Sequence, residues 1–182
     1  MNLKPINPYY RQIVNPRART YSLNNSTYPY TWIELVTDRT QADVDYAKTL
    51  LSKSWAEFTQ QEKEAYLSGL KGCINRADLE RIENNIQILL DVLEINSGSY
   101  VEAVPEFPTT TYFEQMQSNV AAIRAGYVIH ADTPEVPELP FNTWQKFNDI
   151  EKILADVHEA VSAQLRYFTG EIYAGDTVGL IL

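Results

Sequence analysis

The stretch that most constrains this chain is Ile74 to Ile95, INRADLERIENNIQILLDVLEI. Asn75 is a good N-cap, Asp78 stands at the third helical position, and Ile74 and Leu79 are placed to clasp as a hydrophobic staple. Leu79, Ile82, Ile86, Leu89 and Leu93 recur at spacings of three and four, which puts them on one helix face. Ile88, Val92 and Ile95 widen that face, so the helix is expected to be covered on more than one side.

The rest of the chain reads as shorter helices around this one. Thr40-Gln-Ala-Asp43 is a capping-box variant followed by Val44, Ala47 and Leu51 on one face. Trp55 and Phe58 fill a connection, and Thr59-Gln-Gln-Glu62 opens a short helix carrying Tyr66, Leu67 and Leu70, broken by Gly69 and Gly72. A helix starting at Thr111 sets Phe113, Met116, Val120 and Ile123 inward and leaves Gly126 beyond its end. Pro134, Pro137 and Pro140 mark a semi-rigid connector, and a last helix spans about Asn142 to Phe168, with Phe147, Ile150, Leu154, Val157 and Val161 inward. The two longest helices are expected to pack together as the core. Trp32 to Val36 could form a short strand, and residues 170–182 read as two short extended pieces.

The ends differ from the middle. Residues 1–31 hold Pro5, Pro8, Pro16, Pro29 and five tyrosines among turn-forming residues, which predicts an extended arm that must lie against something else. Residues 1–33 carry Lys4, Arg11, Arg17 and Arg19 and no acid, so the remainder holds −13 of a chain whose net charge is −9. An acidic body repels phosphates and argues against a nucleic-acid surface, while a basic arm suits docking on acidic protein. A solvated tail with incidental arginines is about as well supported.

Little in the chain points to chemistry. His130 and His158 are the only histidines, and no HExxH, Cys/His cluster or calcium loop occurs. His158 reads as a structural histidine beside core position Val157, and His130 lies in the proline connector. Cys73 excludes an internal disulfide and reads as a small buried residue. Phosphate-binding glycine loops and Gly-x-Ser-x-Gly elbows are missing, and carboxylate pairs such as Asp149/Glu151 and Glu102/Glu106 arise by chance among 24 acids. No signal peptide and no apolar run long enough for a bilayer is read, so a soluble protein without cofactor, metal or membrane insertion is expected. The aromatic excess, twelve tyrosines and three tryptophans, suits subunit contacts or a saccharide-binding surface; core packing would account for Trp55 and Trp144.

Several runs together resemble small virion proteins encoded among the tail genes of phages and prophages of Gram-positive bacteria. They are Trp32-Ile-Glu-Leu-Val-Thr-Asp-Arg-Thr-Gln-Ala-Asp-Val44, Leu70-Lys-Gly72, Leu79-Glu-Arg-Ile-Glu-Asn-Asn-Ile86, Phe141-Asn-Thr-Trp144, Phe147-Asn-Asp-Ile-Glu-Lys-Ile-Leu154 and Tyr173-Ala-Gly-Asp176. The resemblance covers most of residues 32–180 and implies a structural role, with no catalytic residues. In that family the pattern often forms a module of a longer tail or baseplate protein, whereas here it stands behind the basic arm.

The expectations are then a mainly α fold of about five helices in a small bundle, an extended N-terminal arm (1–31), a helical domain (32–169) and a C-terminal β tail (170–182). The expected function is that of a non-enzymatic subunit of a phage tail, baseplate or fibre, made in the bacterial cytoplasm and residing in the virion. Its partners would be other virion subunits and further copies of itself, with a trimer suggested by analogy to tail symmetry. Partner contacts are assigned to Lys4, Tyr9, Tyr10, Arg11, Arg17, Arg19, Tyr21, Tyr28 and Tyr30 of the arm. The alternative is a carbohydrate-binding module that reads host cell-wall glycan, and a wall-degrading hydrolase ranks third.

Overall fold

In a computed structural model, residues 14–15, 20–21, 32–95, 104–127 and 129–168 are described, the last with side chains to residue 163. Five α-helices carry the fold: α1 (Gln41–Leu51), α2 (Gln60–Ser68), α3 (Arg76–Val92), α4 (Thr110–Gly126) and α5 (Trp144–Phe168). Two two-residue strands, β1 (Val14–Asn15) and β2 (Thr20–Tyr21), pair antiparallel with Val14 opposite Tyr21. Apart from that pairing, the expected arm lies outside the described residues, as does the expected C-terminal β element.

Helix α3 begins as its sequence dictates. The Asn75 side chain accepts from the Asp78 N–H at 3.1 Å, and the Asp78 carboxylate accepts from the Asn75 N–H at 3.0 Å. Two of the orphan donors of the first turn are thereby satisfied. Ile82, Ile86 and Leu89 are fully buried, with Leu79, Ile88, Leu90 and Val92 nearly so. They share one core with Met116, Val120 and Ile123 of α4 and with Ile150, Ile153, Leu154, Val157 and Val161 of α5. The core is therefore a three-helix one, and the expectation of a two-helix core is corrected: α4 is as long as α3 and packs against both neighbours.

The first two helices form a separate lobe. Ala47 and Leu50 of α1 bury against Phe58 and Leu70, with Ala65 and Cys73 partly covered at the edge. None of these residues belongs to the large core. The apolar residues read from the sequence are only partly covered here. Leu51 is 56 % exposed and Leu67 75 %, because the inward face of α1 runs through Ala47 and Leu50 and the lobe is too small to cover two sides of α2. Trp55 opens a single 3₁₀ turn (Trp55–Glu57) and is 51 % exposed, so it is not the core residue that was expected. Gly69 ends α2 at φ 95°, a conformation that side-chain-bearing residues resist. A Cβ on Gly72 would run into the backbone carbonyl of Asp43, so this turn lies directly on the start of α1.

The proline connector is tied down by carbonyl groups. Arg124 Nε donates to Pro134 O at 2.8 Å, Gln117 Nε2 to Pro137 O at 2.8 Å, and Lys146 Nζ to Pro140 O at 2.8 Å. Thr133 Oγ1 donates to the buried Asp156 carboxylate of α5 at 2.6 Å. Proline removes donors but leaves acceptors, and the flanking helices supply the missing N–H groups.

These positions make a direct comparison possible. Replacing fully buried Ile82 or Leu154 by alanine is expected to lower stability by about 2–5 kcal/mol, against less than about 0.5 kcal/mol for exposed Leu67→Ala. Urea denaturation of the three variants checks this.

Candidate functional site

Residues 32–40, Trp-Ile-Glu-Leu-Val-Thr-Asp-Arg-Thr, cross the cleft between α3 and α5 as a strap with no regular secondary structure. The strand expected at Trp32 to Val36 is not formed. The reason lies in where the strap's backbone hydrogen bonds go: helix side chains take the place of a neighbouring strand. Ile33 N–H donates to Asn85 Oδ1 at 3.1 Å, and Asn85 Nδ2 donates back to Ile33 O at 2.6 Å. Asn148 treats Arg39 in the same way, accepting from its N–H at 3.2 Å and donating to its carbonyl at 2.9 Å. Only a side chain with both a donor and an acceptor can close this pair of bonds on one residue, which is why asparagine stands at both places.

Between the two amide clamps lies a buried ionic cluster. Arg39 is 2 % exposed and Glu151 is fully buried. Arg39 Nη2 donates to Glu151 Oε1 at 2.8 Å and to Asp78 Oδ1 at 3.3 Å, while its Nη1 donates to Val36 O at 2.7 Å. Arg81 Nη2 reaches the same two carboxylates, Asp78 at 2.7 Å and Glu151 at 3.0 Å. Glu151 also accepts from Arg81 Nε at 3.2 Å and from the Val36 N–H at 2.6 Å. Four donors thus fill its acceptor capacity. Two cations meet two anions, so the cluster is neutral as a whole. Burial disfavours the Arg81 charge, but its hydrogen bonds to Glu151 and Asp78 outweigh that and raise its pKa.

The strap's first residue is fixed by a ring. Trp32 stacks on His158 of α5 with ring centroids 3.8 Å apart and planes 11° from parallel. Burial holds the His158 imidazole down at about 4, so it is neutral at pH 7. At half-buried Glu83 on α3, burial pushes the carboxyl up to about 7, opposed in part by the neighbouring Tyr112 hydroxyl.

A second feature lies on the lobe. Trp55 packs edge to face with Tyr66 at 5.9 Å, and Lys63 Nζ sits 5.6 Å from the Trp55 ring centre. Trp55 is about half exposed and Tyr66 43 %. Together they form an amphipathic platform of flat rings.

The residues singled out from sequence are distributed as follows. Lys4, Tyr9, Tyr10, Arg11, Arg17, Arg19, Tyr28 and Tyr30 lie outside the described residues, and Tyr21 is described only as the β2 residue opposite Val14. Asp149 and Glu151 do not converge: Glu151 sits in the cleft, while burial raises the pKa of half-buried Asp149. His130 is exposed in the connector, and Cys73 is half-buried at the edge of the lobe. Among the described residues no three metal-competent side chains converge, and no helix is long and apolar enough to cross a membrane. Sequence reading missed the roles of Arg39, Asp78, Arg81, Asn85, Asn148 and Glu151 in this cleft. A signal was present. Asp78, Ile82, Asn85 and Leu89 share one helix face, as do Phe147, Glu151 and Leu154, so polar groups interrupt both apolar stripes. No protein-family model, curated protein or solved structure matches the chain.

Glu151→Ala is expected to cost about 3–5 kcal/mol, since two buried guanidinium groups would lose their shared acceptor; chemical denaturation measures it. The titrations of Glu83 and His158 oppose one another. Glu83 has a folded value of about 7 against an ordinary 4.5, so its contribution is complete below pH 4.5 and is lost as pH rises through 7. His158 has a folded value of about 4 against 6.5, so the unfolded chain takes up the proton first and stability falls as pH drops from 6.5 to 4. Relative to the parent, Glu83→Gln should gain about 1.4 kcal/mol per pH unit as pH rises from 4.5 towards 6.5, and His158→Phe should lose as much. Denaturation midpoints across that window read both slopes.

Proposed function

We propose that this chain is a structural, non-enzymatic subunit of a phage tail, baseplate or fibre assembly. The observation that carries the proposal is the use made of the buried polar groups. Asn85, Asn148, Glu151 and Asp78 line one cleft, yet their hydrogen bonds grip a strap of the same chain, while Arg81 bonds to the two carboxylates. A strap anchored in this way delivers the preceding residues, 1–31, to a neighbour from a defined exit point at Trp32. The sequence resemblance of most of residues 32–180 to tail-gene virion proteins supports a phage tail as the assembly.

In this reading residues 1–31 are an arm, doubled back where β1 pairs with β2. Tyr9, Tyr10, Tyr21, Tyr28 and Tyr30 bury against an adjacent subunit, while Lys4, Arg11, Arg17 and Arg19 face its acidic surface. The tail 170–182 forms a small β element, and the subunit is arranged in cyclic copies, a trimer by analogy with tail symmetry. Deletion of residues 1–31 should leave helical content and cooperative melting intact while abolishing incorporation into particles assembled with the remaining structural proteins. Normal incorporation of the truncated chain, seen by electron microscopy and immunoblotting, would overturn the arm's role.

The Trp55–Tyr66 platform favours a second reading, a module that binds host cell-wall glycan, because sugars stack on exposed flat rings. Binding on a glycan array that is lost in Trp55→Ala would support it, and no binding by the parent chain would exclude it.

A further inference from the structure

We propose that residues 32–73, the strap together with the α1–α2 lobe, exchange between two copies of this chain, each copy's strap filling the other's α3–α5 cleft. The inference supplies a route to the assembly proposed above, but it needs only two identical chains and is tested without any particle.

The first ground is that the chain is built as two bodies. Ala47, Leu50, Phe58 and Leu70 make a small core that shares no residue with the large one around Ile82, Leu89 and Ile150. The turn at Gly72 belongs to the lobe, packed on Asp43, and the Cys73 N–H donates back to Leu70 O at 2.9 Å. Ile74, the next residue, packs on the large core, and Asn75 caps α3. Within residues 32–95 the covalent link between the two bodies is thus the Cys73–Ile74 junction, and their other contacts are those of the strap and of Gln41. A junction this short is the arrangement in which opening a hinge and pairing with a second copy is cheap.

The second ground is the nature of the bond between the bodies. Among the described residues, the strap from Trp32 to Arg39 makes no backbone-to-backbone hydrogen bond with the large body. Its main chain is held by Asn85, Asn148 and Glu151, which is how a groove reads an extended peptide. Charge specifies the fit: Arg39 enters a pocket whose acids, Asp78 and Glu151, would otherwise have, among the described residues, Arg81 alone to balance them. Trp32 on His158 and Gln41 against Trp144 Nε1, 3.3 Å apart, complete the docking at either end. Each of these contacts is made equally well by the same residues of another copy. Closed and exchanged forms then differ only in the conformation at Cys73–Ile74 and in concentration, so crowding subunits together favours exchange.

The test uses two full-length variants, with reducing agent present to exclude a Cys73 disulfide. One has a disabled cleft (Asn85→Ala with Asn148→Ala) and an intact strap; the other has a disabled strap (Arg39→Ala) and an intact cleft. Unfolded together and refolded as a mixture, they should yield a 1:1 heterodimer containing one complete strap–cleft pair, with a melting transition above that of either alone. Light scattering after size exclusion and differently tagged chains identify it. A mixture that behaves as the sum of its parts overturns the exchange.

Should either variant fail to fold, the parent chain decides. It should show a concentration-dependent monomer–dimer equilibrium, and six Gly/Ser residues inserted between Cys73 and Ile74 should shift it towards monomer at least tenfold. A parent that stays monomeric to the highest attainable concentration, or a dimer indifferent to the insertion, refutes the proposal.

Discussion

The Glu151 carboxylate is the point on which the described structure turns. It is fully buried in the first third of α5, and a carboxylate in that position is very costly unless each of its lone pairs is engaged. Here the Val36 N–H, Arg39 and Arg81 supply four donors between them. That requirement determines much else. Arg39 must be brought in from the strap, Arg81 and Asp78 must face α5 from α3, and the strap must lie extended so that Val36 presents its N–H. A hydrophobic side chain in the same place would pack the helices at least as tightly. It would leave the strap without a docking point and Arg39 without a reason to be buried. Specificity of chain path is what the ionic cluster contributes.

The two asparagine clamps extend the same logic along the strap. A segment with no neighbouring strand must find partners for its N–H and C=O groups, or remain in water. Asn85 and Asn148 each satisfy one residue completely, and Glu151 covers Val36 between them. The helical bundle is thereby able to hold an extended chain without adding a sheet. It also means that the lobe of α1 and α2 is joined to the large core through one covalent junction and a strap held by polar groups along its main chain and by Trp32 and Leu35 packed on the core, in contrast to the continuous apolar packing among α3, α4 and α5.

Much of the helical framework was legible beforehand, for local reasons. Asn75 with Asp78, Thr40 with Asp43 and Thr59 with Glu62 each close a capping box where their spacing foretold one. The inward residues of α4 and α5 follow their three-and-four spacing. Errors concentrated in the lobe, where Leu51, Trp55 and Leu67 are apolar yet exposed. Periodicity reports which faces are apolar and is silent on whether anything covers them. The cleft was missed for a different reason. Asn85 and Glu151 read as polar residues at the margins of apolar stripes, and only their partners, 52 and 115 positions away in sequence, give them a role.

By itself, the amino-acid sequence determined the existence and approximate starts of the helices and which of their faces are apolar, because caps and periodicity are short-range relations that backbone geometry enforces wherever they occur. It also determined the contrast between a basic, tyrosine-rich beginning and an acidic remainder. Tertiary structure alone decided that α4 would be a full member of the core, that the Trp32–Thr40 segment would be a strap and not a strand, and that Arg39, Arg81, Asp78 and Glu151 would neutralise one another. Those outcomes depend on which groups become neighbours once water is excluded. A charge in a sequence carries no mark of the partner that will make its burial tolerable.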